Sequence, residues 1–89
     1  MESINFAYQL TAKLRKYLTN HKINHDISES QWDDFTTQTA MTIQDATVDD
    51  IIKRLETLLA NNGTPHKFKP MARNQLTHII GSLTMRYLY

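Results

Sequence analysis

At 89 residues and 10.4 kDa the chain has room for a single hydrophobic core, because domains usually take about 100–150 residues; residues 1–89 are read as one domain and a second is excluded. Forty per cent of the residues are hydrophobic, with three Phe, four Tyr and one Trp, which excludes a disordered tail. Ten Lys+Arg against nine Asp+Glu leave a formal charge of +1, which excludes the strong field that draws in nucleic acid or anionic lipid.

The first segment, Ser3 to about Asn20, sets Ala7, Leu10, Leu14, Tyr17 and Leu18 at steps of three and four and predicts an amphipathic helix. His21 to Asp26 has no period and is rich in turn formers, so it reads as the first connection. Ser28 and Gln31 form a capping-box pair, with Ile27 and Trp32 placed as a hydrophobic staple, so a second helix begins at Glu29. Its stripe is Trp32, Phe35 and Ile43 with Thr36 and Thr39 between; the β-branched threonines lower its propensity.

Thr47 followed by Val48, Asp49 and Asp50 repeats the start signal, since first-turn carboxylates favour the positive end of the helix dipole. Val48, Ile51, Ile52, Leu55, Leu58 and Leu59 then make the cleanest apolar face in the chain, and Asp49–Lys53 and Asp50–Arg54 are i, i+4 pairs in the favourable order. Gly63, in the break Asn61-Asn62-Gly63-Thr64-Pro65, ends that helix. Pro70 suits the first position of a last helix carrying Leu76, Ile79, Ile80, Leu83 and Tyr87. Gly81 inside it predicts a close helix crossing or a kink. Four amphipathic helices on short loops predict an all-α fold, a small antiparallel four-helix bundle.

The absence of cysteine removes disulfides, thiolate nucleophiles and zinc knuckles, and points to a reducing, cytoplasmic setting. The longest apolar runs are three residues, such as Phe6-Ala7-Tyr8 and Leu58-Leu59-Ala60, so neither a membrane span nor an export signal is expected. None of the four serines lies in a nucleophile-elbow pattern, and the two glycines stand alone; no catalytic residue, no cofactor and no enzyme activity is expected. Asp33-Asp34 and Asp49-Asp50 are read as first-turn acids. His21 and His25 are four apart, but in a loop without a third ligand, so no metal is expected.

Two basic groups remain, Lys13-Arg15-Lys16 and His66-Lys67-Phe68-Lys69 with Arg73 behind. Phe68 between two lysines suits a nucleic-acid or lipid-surface contact, because an aromatic stacks while lysines meet phosphates; alternatively Phe68 plugs the bundle end while the lysines stay in water. At the chain's other end Tyr87 continues the core stripe, while Met85, Leu88 and Tyr89 lie off it, either as protein–protein anchors or as a frayed helix end.

Ile51-Ile52-Lys53-Arg54-Leu55, the Lys67-Phe68-Lys69 connector, the Gln75-Leu76…Ile79-Ile80-Gly81 run and the Arg86-Tyr87-Leu88-Tyr89 ending together resemble the immunity proteins of pediocin-like (class IIa) bacteriocins, of the enterocin A immunity type. The resemblance covers about residues 49–89; the first half agrees in pattern alone. It implies a cytoplasmic four-helix bundle, in place at the inner face of the membrane, that protects the producer cell. Such proteins bind the complex of bacteriocin with its receptor, the membrane components of the mannose phosphotransferase system, and the C-terminal half sets which bacteriocin is recognised. The residues it implicates in partner binding are Lys67, Phe68, Lys69, Arg86, Tyr87 and Tyr89. The alternative is a small phage- or plasmid-encoded helical regulator that binds nucleic acid or inhibits a host protein through Lys13, Arg15, Lys16, Lys67, Lys69 and Arg73. A monomer is expected; a structural homodimer burying Met85, Leu88 and Tyr89 is the third reading.

Overall fold

A computed structural model of the chain describes residues 2–89. Four helices follow one another: α1 (Glu2–Asn20), α2 (Glu29–Thr42), α3 (Val48–Asn61) and α4 (Pro70–Tyr87). Close contacts join α1 to α2 and α4, and α3 to α4 and α2; the diagonal pairs make none. This is the up-and-down order of an antiparallel four-helix bundle. One end, here the groove end, gathers the starts of α1 and α3 and the finishes of α2 and α4. The other, the connector end, carries the two longer loops, residues 21–28 and 62–69.

The helix starts follow the sequence signals. Ser28 Oγ accepts the Gln31 N–H at 3.2 Å while Gln31 Oε1 accepts the Ser28 N–H at 2.9 Å, and Ile27 and Trp32 are both buried beside this box. Thr47 and Asp50 form a second reciprocal box at 3.1 and 2.9 Å. Pro70 occupies the first turn of α4, whose N-cap Lys69 makes no side-chain cap bond.

Two helix ends share one geometry. After α3, Gly63 (φ +74°) takes the left-handed conformation, with Gly63 N–H on Ala60 O and Thr64 N–H on Leu59 O. After α1, Lys22 (φ +57°) does the same, with Lys22 N–H on Thr19 O and Ile23 N–H on Leu18 O. Both are Schellman caps, but the one at Lys22 is built on a residue with a Cβ.

The core is assembled from Phe6, Leu10, Leu14 and Leu18 of α1, Trp32 and Phe35 of α2, Ile51, Ile52, Leu55 and Leu59 of α3, and Leu76, Ile80 and Leu83 of α4. A polar layer crosses it between α1 and α2. Thr36 Oγ1 donates to Trp32 O at 2.9 Å, and the Thr11 hydroxyl meets Thr36 Oγ1 at 2.7 Å. Buried Thr11 and Thr36 thus turn inward and bond there, whereas the buried Thr39 hydroxyl has no hydrogen-bond partner among the described residues.

The expected role of Gly81 is corrected: a Cβ built on it meets nothing within 4 Å, so the glycine marks no close crossing. The pair Asp50–Arg54 does not form either. Asp50 is held by the Thr47 box, and Arg54 instead donates to Thr42 Oγ1 at 2.6 Å. Asp49–Lys53 does form, at 3.1 Å.

The α2–α3 contact is the thinnest of the four adjacent pairs, and the sequence explains why. The facing positions are Gln31, Asp34, Phe35 and Gln38 on α2 and Arg54, Thr57, Leu58 and Asn61 on α3, each spaced i, i+3, i+4, i+7; they line a cleft of about 370 Å³. Six of these eight seam positions are polar, and such side chains lose more by dehydration than close packing returns.

Candidate functional site

The six residues that the resemblance implicates in partner binding fall into two groups at opposite ends of α4. Lys67, Phe68 and Lys69 precede its first turn, and Arg86, Tyr87 and Tyr89 stand at its finish. Eighteen helical residues at 1.5 Å each separate them by about 25 Å, so they form two surfaces rather than one.

At the connector end, Phe68 is 5% exposed and belongs to the core cluster. Its ring meets Tyr17 edge-on at 6.4 Å and His66 at 4.8 Å. The plug reading therefore holds and Phe68 is not at the surface, whereas Lys67 and Lys69 are exposed.

What fixes the connector is a residue the sequence reading passed over. Glu56 is the only buried carboxylate among the described residues. Its Oε2 accepts the Phe68 N–H at 2.9 Å, and Lys67 Nζ and Arg73 Nη1 stand 3.9 Å from its two oxygens. Arg73 also pairs with Asp49, so it ties the first turn of α4 to both the start and the middle of α3. The signal for Glu56 was present: it lies four residues after Ile52 and three before Leu59, inside the apolar stripe.

Other cations at this end are also engaged. Arg15 holds Glu29 bidentately at 2.9 and 2.5 Å and stacks over Trp32 at 5.4 Å. The hydrogen bond raises the Arg15 pKa and lowers that of Glu29. His21 Nδ1–H donates to the Tyr17 carbonyl at 3.0 Å, and His25 Nδ1 accepts the Ile27 N–H at 3.3 Å. His21 and His25 thus each have a local backbone partner, and no group of three or more His, Asp or Glu side chains is placed to hold a metal among the described residues.

At the groove end, an open groove of about 770 Å³ is lined by residues from three parts of the chain: Glu2 and Ser3 of α1, Ile43 and Gln44 after α2, and Thr84, Arg86 and Tyr87 of α4 with Leu88 and Tyr89 just beyond it. Tyr87 is half-buried against the core, as the stripe predicts; Leu88 also packs there, contrary to its expected exposure. Met85 is 72% and Tyr89 94% exposed. The Arg86 guanidinium lies over the Tyr87 ring at 5.7 Å. Arg15, Arg54 and Arg73 all bond a carboxylate or hydroxyl, whereas Arg86 has no such partner among the described residues. The contributions of Glu2 and Ile43 had no sequence signal, because residues about 40 apart meet there only through the bundle's topology.

Among the described residues no helix is long and apolar enough to cross a membrane. The chain matches no protein-family model, no curated protein and no solved structure.

Proposed function

We propose that this chain is an immunity protein of the pediocin-like bacteriocin type, binding the complex of bacteriocin and mannose phosphotransferase membrane components from the cytoplasmic side. The observation that carries the reading is the finish of α4, where an unpaired Arg86 lies beside an exposed Tyr89 and an open groove. Tyr, Met and Arg are the side chains that dominate protein–protein interfaces. They lie in the C-terminal residues that the resemblance implicates in recognition. Buried Phe68 serves in this reading as the anchor of the connector, leaving Lys67 and Lys69 as its exposed part.

The test is expression of the chain in a strain sensitive to class IIa bacteriocins, with survival scored against a panel of them. Resistance to one or a few members is expected, and the double variant Arg86→Ala/Tyr89→Ala abolishes it while the purified variant keeps its helical circular dichroism. Unchanged sensitivity across the panel, with folded protein in the cell, overturns the proposal.

A further inference from the structure

The exposed large apolar side chains are not spread evenly over the surface. Tyr8, Met41, Met85 and Tyr89 lie in the half of the bundle nearer the groove end; Met71 alone lies toward the other. A local concentration of exposed apolar groups on a small domain marks an interaction surface.

The same end carries both signs of charge without internal neutralisation. Arg86 lines one side of the groove and Glu2 another, with exposed Asp45 next to groove-lining Gln44. None of the three belongs to the ion pairs among the described residues. A projecting aromatic, an open groove, a free base and free acids therefore share one face.

A surface that presents both halves of each complementary pair fits a copy of itself rotated by 180°, since in an isologous contact residue i meets j and j meets i. We propose that the groove end is a self-association surface whose occupant is a second copy of this chain. Tyr89 of each copy enters the groove of the other, Arg86 faces Glu2 and Asp45 across the two-fold axis, and Met41 and Met85 lose their exposure. A single-sign face would repel its copy, and a wholly apolar one would lack register; this face has neither defect.

The end of a bundle whose extents are 34 × 29 × 21 Å offers an interface on the order of 1,000 Å² in total, at the lower limit of specific contacts. The association is accordingly reversible and weak. It does not rest on the immunity reading, and sedimentation of the pure chain involves no bacteriocin, receptor or cell.

The experiment is analytical ultracentrifugation of the purified chain from about 10 μM to about 1 mM, at low salt and again at high salt where exposed charge pairs are screened. A monomer–dimer equilibrium that weakens with salt is expected, and Tyr89→Ser weakens it by about tenfold or more. Arg86→Glu alone is monomeric, as is Glu2→Lys/Asp45→Lys alone, and an equimolar mixture of the two restores a heterodimer. That rescue separates a contact across the axis from an effect on folding, which circular dichroism of each variant also reports. A wild-type chain that stays monomeric at about 1 mM, or a dimer indifferent to Tyr89→Ser and Arg86→Glu, overturns the proposal.

Discussion

Glu56 shows how one side chain determines the path of a connector. A carboxylate taken out of water needs hydrogen bonds and opposite charge around it, and Glu56 finds the Phe68 N–H, with Lys67 and Arg73 nearby. Replacing it with alanine leaves that N–H without its partner and is expected to cost about 2 kcal/mol in urea unfolding. Glu56→Gln keeps an acceptor and costs less. Lys22 makes the opposite case. Its left-handed φ carries a Cβ penalty, so Lys22→Gly is expected to stabilise by about 0.5–1 kcal/mol, measured by the same unfolding. The acid response follows from Glu29 and Asp50, held below the ordinary carboxylate range by the Arg15 hydrogen bond and by the Thr47 N–H respectively. A depressed carboxylate contributes stability above its unfolded pKa, and that contribution fades as pH falls through the folded value. The urea midpoint should therefore hold steady from neutrality to about pH 5 and decline below about pH 4, with a shallower decline in Asp50→Asn.

At the scale of elements, the signals that are local in sequence translated well. Both capping boxes, the staple, the proline start of α4 and the Gly63 stop depend on residues within five positions of one another, and each is found in place. Signals that needed tertiary context did not. Gly81 fits a crossing or a kink by residue type, yet the space around it is open; Gly81→Ala is expected to stabilise by about 0.5–1 kcal/mol and to raise Tm by a few degrees in a thermal melt. The Asp50–Arg54 pair failed because each partner had a nearer bond, to the Thr47 cap and to Thr42. The threonines of α2 looked like a weakness of the helix, but one of them, Thr36, carries the polar bond network with Thr11 of α1. Removing Thr36 strands the buried Thr11 hydroxyl, whose bond is to Thr36, so Thr36→Val should cost more than a second change, Thr11→Val, made on top of it.

For the molecule as a whole, the separation of the two candidate surfaces by the length of α4 could be read from the sequence once that helix was recognised. The groove could not, since Glu2, Ile43 and Arg86 meet only in the folded chain. The charge pattern changes meaning in the same way. Of the six cations that suggest a nucleic-acid binder, Arg15, Lys67 and Arg73 have carboxylates within 4 Å, leaving Lys13, Lys16 and Lys69. A salt-titrated DNA-binding assay is expected to give at most a shallow slope, because that slope follows the number of phosphates neutralised; a steep one would favour the regulator. The thin α2–α3 seam has a further consequence, for motion. Helices joined across polar positions part at less free energy than those sharing a dry core, so the first sub-global opening runs along this cleft. Amide protons of α3, the helix packed most thinly on its neighbours, should then exchange with deuterium sooner than those of the inner turns of α1, which is flanked by two well-packed neighbours. The chain would breathe on one side while its α1–α4 spine stays shut.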